Sequence, residues 1–261
     1  MTDPSRPTEA YQPDRTLRGK IRRRVVRLAH RRPLLADPPG PMVSFCFDDA
    51  PLSAAREGAA VLERNGARGV YYVAAGLSGT QAPMGVCARA ADYHGLAERG
   101  HEIGCHTYSH LDCGQATGEA AEADCARNAA TLLAWSLPAP VSFAYPYGDV
   151  NAAAKAALAP RFGLLRALHP GLVVRGSDLN QAPAVAVEGR TGEADGLRWI
   201  EAASQRRGWL ILFTHDVDDH PSPWGCTPKT LERLVRRSQE LGLAIVTVAE
   251  GLERLGLRPA P

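Results

Sequence analysis

Residues 42–51 read MVSFCFDDAP: a short run of aromatic, β-branched and small residues, then two adjacent carboxylates, then a proline. The run reads as a β-strand that leaves the core at Asp48, because ionisable side chains are buried only when they are paired. Comparable runs recur along the chain. They are GVYYVAA (69–75), HEIGCH (101–106), PVSFAYP (140–146), WLILFTH (209–215) and LAIVTV (243–248), with weaker ones at GLLRAL (163–168) and AVAVE (184–188). Between them, Ala/Leu/Glu/Arg stretches of helical period predict helices at about 53–65, 88–99, 117–135, 151–159, 193–206, 228–241 and 249–255. Several end at glycine, as in ERNGARG, ERG and ELGL, the usual C-terminal punctuation. Repeated strand–helix units imply a parallel sheet with right-handed crossovers, and this many favour a closed or nearly closed α/β barrel.

The composition permits such a fold. The chain has 261 residues, 45% hydrophobic and 22% charged, ordinary values for a globular protein. No apolar run approaches the length of a membrane span. The polar start MTDPSRPTEAYQPDRT has no apolar core of a secretory signal, so the expected compartment is the cytoplasm. The six cysteines are scattered without a CxxC pair, which suggests reduced thiols rather than a disulfide framework. Charge is uneven: residues 1–32 hold ten basic and three acidic side chains, and the other 229 hold twenty and twenty-five. Basic charge confined to one terminal segment argues against nucleic acid as a partner. The expected organisation is a basic arm with a proline-rich connector (1–41) and one catalytic domain (42–261).

In such folds catalytic groups gather at the C-terminal ends of the strands. Asp48 and Asp49 follow the first strand, His106 ends HEIGCH, Pro146 and Tyr147 end PVSFAYP, and His215 ends WLILFTH. His106 and His110 stand four apart in HTYSH. On a polar loop they could be plain surface residues. They could equally bring two imidazoles to one ion, for which a third ligand is needed. A helical zinc-protease motif is excluded, since Thr107 occupies the place of its glutamate. The Asp48–Asp49 pair could cap the helix near Ser53. Alternatively, Asp49 supplies the third ligand while Asp48 reaches the attacking water. Two histidines and a carboxylate form a donor set for a catalytic ion. Cys105 alternates away from His106 and is expected in the core.

Taken together, FDD, then HTYSH about sixty residues on, then YPYG and FTH, resemble the NodB-homology polysaccharide deacetylases, metal-dependent carbohydrate esterases built on a distorted (β/α)7 barrel. The resemblance spans about residues 42–255. It implies Asp48 as catalytic base and Asp49, His106 and His110 as ligands of a divalent metal, zinc above others. It also implies that the Tyr147 N–H, beside Pro146, binds the oxyanion and that His215 is the general acid. The expected reaction removes N-acetyl groups from amino sugars of an oligo- or polysaccharide. The alternatives are an O-acetyl esterase on the same metal site and a catalytically weak carbohydrate-binding relative. The chain departs from the pattern at three places. Ala50 replaces a glycine, and Ala144 stands where relatives carry an arginine that pairs with the base. The residue orienting His215 is not evident, and Asp178 in RGSDLNQAP is the candidate. In the arm, Leu17, Ile21, Val25 and Leu28 fall on one helical face within residues 15–32. That predicts either a helix docked on the barrel or peripheral contact with the inner membrane surface.

Overall fold

A computed structural model of the chain describes residues 24–257. It contains strand β1 (Met42–Asp48), a π-helical turn Ala54–Gly58 leading into α1 (Ala59–Arg64), β2 (Val70–Val73), and a small hairpin of β3 (Gln81–Ala82) and β4 (Gly85–Val86). Next come α2 (Ala90–Glu98), β5 (Glu102–Cys105), α3 (Gly118–Ala134), β6 (Ser142–Ala144), α4 (Ala152–Leu158) and β7 (Leu164–Arg166). The last third holds β8 (Val185–Ala186), α5 (Gly192–Arg206), β9 (Trp209–Thr214), α6 (Pro228–Glu240), β10 (Ala244–Ile245) and α7 (Val248–Arg254). The helices begin where the sequence provides a cap. Thr117, Asn151, Thr227 and Thr247 each accept a first-turn N–H, from Ala120, Ala154, Thr230 and Glu250.

The main sheet runs β7-β6-β5-β2-β1-β9-β8 with every pair parallel, and β10 adds to the N-terminal half of β1. Its two edges are joined by one stretch of chain. Ala182 bridges Arg166 in parallel, Ala167 N–H donates to Ala182 O (2.9 Å), and β8, just beyond, pairs with β9. The sheet is therefore curled into a distorted barrel, the α/β architecture expected from the strand–helix repeat.

Side chains along β1 alternate between two cores. Val43, Phe45 and Phe47 pack outward under the helices, whereas Met42 and Cys46 face the interior with Tyr72, Ala144, Leu164, Trp209 and Phe213. This parity places the site. Followed to the strand ends or just past them, the interior-facing positions are Asp48 after Cys46, His215 after Phe213, Glu188 after Ala186, and Arg166 after Leu164. Cys105, adjacent to His106, belongs to a third cluster with Phe143 and Tyr145, as its alternation predicted, and all six cysteines are buried and unbridged.

Residues 32–34 run antiparallel to 177–179, with Leu34 N–H on Ser177 O (2.8 Å) and Leu179 N–H on Arg32 O (2.9 Å). Val26 and Leu34 are buried, so this part of the chain packs on the barrel. Leu17 and Ile21 lie outside the described residues. Val25 and Leu28, the remainder of that stripe, are 56% and 73% exposed, and the helix there ends at residue 26. They are not docked on the barrel, and nothing among the described residues supports contact with a membrane. No helix among the described residues is long and apolar enough to cross one.

Candidate functional site

β1 lies at the centre of the sheet, bonded to β9 along Met42–Phe47 and to β2 along Cys46–Asp48. It delivers Asp48 and Asp49, 4% and 5% exposed, to the C-terminal rim. There the backbone turns sharply through left-handed conformations at Asp49 (φ 57°) and Ala50 (φ 42°). A glycine would adopt the second at lower cost, which gives the departure at Ala50 a physical meaning: the turn is made, under strain. Thr107 (φ 59°), His110 (φ 57°) and Tyr147 (φ 59°) are left-handed as well. Non-glycine residues in this region mark sites where surrounding structure fixes the backbone.

The loop after β5 is held from outside the site. Asp124 on α3 accepts the N–H groups of Tyr108 (2.8 Å) and Ser109 (2.9 Å) through one carboxylate oxygen, and Thr107 Oγ1 accepts Leu111 N–H (2.8 Å). His106 Nδ1 lies 2.7 Å from Ala144 O. An N–H must donate there, which leaves Nε2 unprotonated and turned toward Asp49. Asp49 Oδ1 is 3.8 Å from His106 Nε2 and 3.4 Å from His110 Nε2. One ligand atom from each of the three residues lies within 4.8 Å of the others.

A divalent ion fits this arrangement. Asp49 Oδ1 is buried with no hydrogen-bond partner, a costly state for a carboxylate oxygen. Two ligand atoms on a tetrahedral ion with bonds of about 2.0–2.1 Å stand roughly 3.4 Å apart, close to the separations seen. Burial lowers the pKa of both His106 and His110 to about 4, so both offer a lone pair at neutral pH. Burial, reinforced by the charge of Asp48, lifts the Asp49 carboxyl above its ordinary value despite His106 and His215. A bound cation would reverse that shift.

Asp48 is paired in a way the sequence did not show. Arg166 Nη2 lies 2.6 Å from both Asp48 Oδ1 and Oδ2. Arg166 is fully buried in the interior, its guanidinium near the rings of Tyr72 (5.2 Å) and Phe213 (4.8 Å). Burial alone would raise the Asp48 pKa, but Arg166, helped by His106 and His215, holds it below the usual carboxylate range. Ala144 and Arg166 are register partners on β6 and β7, and paired residues of parallel strands point to the same face. The guanidinium expected at position 144 is supplied by its cross-strand neighbour, and the small Ala144 leaves it room.

The expectation that Asp178 orients His215 is corrected. Asp178 Oδ2 takes the Lys155 ammonium (2.6 Å), and its Oδ1 takes the N–H groups of Arg32 (2.9 Å) and Asn180 (3.0 Å), so it belongs to the packing of residues 24–34. The partner of His215 is Glu188, whose Oε1 lies 3.0 Å from Nδ1. Burial would lower the His215 pKa, but the hydrogen bond to Glu188 and the charges of Asp48 and Asp49 outweigh it and raise it to about 9. Sequence reasoning missed both Arg166 and Glu188. Their signal was present: each is the one charged residue in an otherwise apolar strand-like run, at interior parity. Pro146 is buried, and the Tyr147 ring packs edge-on to His110 with centroids 4.5 Å apart. The structure thus brings Asp48, Asp49, His106, His110, Tyr147 and His215 to one rim, with Arg166 and Glu188 behind them.

Comparison with known proteins agrees with this geometry. Residues 36–164 match the family model described as polysaccharide deacetylase. Among curated proteins none matches the chain. Its fold is similar to that of the Xyl-CE4 domain of a multidomain xylanase from the hindgut metagenome of Trinervitermes trinervoides, at 17% identity over 84% of this chain and 93% of that one, with a TM-score of 0.63. A family 4 acetyl xylan esterase from Clostridium thermocellum gives 19% identity over 84% and 94%, TM-score 0.60. The chitin deacetylase of the fungal pathogen Colletotrichum lindemuthianum gives 16% over 88% and 93%, TM-score 0.58. At such identities the likeness establishes the fold.

Proposed function

From the premise that this chain belongs to the polysaccharide deacetylase family, we propose that it hydrolyses N-acetyl groups on the amino sugars of an oligo- or polysaccharide. The observation that carries this reading is the set Asp49, His106 and His110, the first two buried and the third partly so, flanked by an arginine-held Asp48 and a glutamate-held His215. These three ligands would hold a divalent ion, zinc by their donor types. When bound, such an ion lowers the pKa of water toward ~7 and polarises the acetamide carbonyl. Asp48, kept ionised by Arg166, accepts the proton of the attacking water. The Tyr147 N–H donates to the oxygen on which negative charge develops. His215, protonated and fixed through Nδ1 by Glu188, gives its proton to the departing amine, which leaves as a neutral amino sugar while the acyl group leaves as acetate.

An ester would need this last proton less, so the acid built at His215 favours amide cleavage over the O-acetyl esterase alternative. The weak-relative alternative rested on the absent arginine at position 144, and Arg166 removes that reason. The direct test measures acetate release from a panel of N-acetylated oligosaccharides and O-acetylated xylans, with and without chelator. The expected outcome is release from N-acetylated substrates that chelator abolishes and added zinc restores. Release confined to O-acetylated substrates, or unaffected by chelator, overturns the reading.

A further inference from the structure

Two large apolar side chains stand open to solvent beside the proposed reaction centre. Tyr147 is 41% exposed and Leu168 38%. Both are fixed in place. The Tyr147 ring rests edge-on against His110, 4.5 Å between centroids. Leu168, two residues past Arg166, closes on the backbone of Gly148: a Cβ at Gly148 would collide with the Cβ, Cγ and Cδ1 of Leu168. Gly148 itself has φ +66°, so neither space nor conformation admits a side chain there. The loops after β6 and β7 thereby meet, with an exposed phenol ring against His110 and an exposed isobutyl group against the next residue, Gly148.

Exposed apolar groups beside a cluster of convergent polar side chains mark a candidate binding surface. Hydrolysis as proposed above requires a pyranose to sit beside His110, and a pyranose with equatorial hydroxyls presents C–H bonds on its two faces. A rigid aromatic with an aliphatic neighbour matches such a face, because it gives contact area at little entropic cost. We propose that Tyr147 and Leu168 form the platform on which the sugar ring carrying the acetamido group, or the ring next to it, packs during turnover. This rests on the deacetylase reading and adds to it a determinant of glycan recognition. Leu168 is a substrate-positioning residue and takes no part in bond making.

The test compares Leu168→Ser with the wild-type full-length protein on tetra-N-acetylchitotetraose and on a small aryl acetate. The serine variant should raise KM for the tetrasaccharide about tenfold, the low end for one apolar contact, with kcat, metal content and aryl acetate hydrolysis unchanged. Leu168→Met should restore the wild-type KM. An unchanged tetrasaccharide KM in Leu168→Ser overturns the platform and leaves the deacetylase reading standing. Equal losses on both substrates, or loss of metal, also overturn it, by showing Leu168 to be structural. No acetate from any N-acetylated glycan with the wild-type protein overturns the deacetylase reading and the platform with it.

Discussion

Two clusters of buried charge hold this molecule together, and they are built in opposite ways. At Lys155, which is fully buried, the ammonium and its carboxylate partner are both met. The ammonium donates to Val26 O (3.0 Å), Asp178 Oδ2 (2.6 Å) and Gln181 Oε1 (3.3 Å), while the other oxygen of Asp178 takes two backbone N–H groups. Around Asp49 the accounting does not close. Asp49 Oδ1 and the Nε and Nη1 atoms of Arg166 are buried without partners, and five residues near the rim have left-handed backbones. A network whose central ion pair is fully met, with Arg32 Nε and Asn180 Oδ1 left without partners at its margin, is what fixes residues 24–34 to the barrel. An unsatisfied one, retained at a cost in stability, is what a fold keeps where chemistry is to be done. The contrast predicts that variants at the rim change activity far more than folding, and that variants at Lys155 do the reverse.

The largest effect is expected at Asp49. Asp49→Ala should lose bound metal, by elemental analysis, and reduce turnover to background, whereas Asp48→Asn should lose turnover and keep its metal. Equal metal loss in both would show that the two carboxylates share one role.

His215→Ala should lower the rate on an N-acetyl substrate by about 10²–10⁴-fold, the usual worth of general acid catalysis, and affect an aryl acetate much less. The acid form is needed, so the rate should fall as pH rises through about 9, where His215 loses its proton. Glu188→Gln removes the anion that favours the imidazolium, and the alkaline limb should move to lower pH in a pH–rate profile. A limb that stays in place would detach Glu188 from the titration.

Arg166→Met should cost about 10²-fold in kcat, comparable to a misplaced catalytic group. Arg166 depresses the Asp48 pKa, so its loss should also move the acid limb to higher pH. Introducing Ala144→Arg into that variant should recover part of the loss, since the two positions are cross-strand partners. No recovery would mean that the interior cannot accept the guanidinium from β6.

The smallest effect on catalysis is expected at the other cluster. Lys155→Met leaves one oxygen of the partly buried Asp178 without its cation, which should lower the unfolding free energy by about 3 kcal/mol in denaturant titration while kcat/KM stays unchanged. A stable but inactive Lys155→Met would erase the distinction between the two clusters.

These clusters also mark what was legible in the sequence. Strand and helix positions were legible because apolar period reports burial directly, and each long run was recovered within a few residues. The β3–β4 hairpin was not. Its strands have two residues each, within GTQAPMGVC, where glycine and proline suggest only a loop. Among site residues, those at the ends of strong strands were brought together. Arg166 and Glu188 were overlooked because the first closes a three-residue strand and the second lies two residues past a two-residue one, and Asp178 was misassigned because an aspartate in a loop carries no mark of its partner. Which acid meets which base is decided by where the barrel closes, and that is not written in any local pattern.

The carboxylate of Asp124 has a consequence for the proposed metal site. It grips the backbone between His106 and His110 from a helix outside the site, so the loop has a support that does not pass through the proposed ligands. On the metal reading proposed above, such a collar would make loading an exchange reaction rather than a folding reaction, and an ion removed by chelator would return without the loop having to refold.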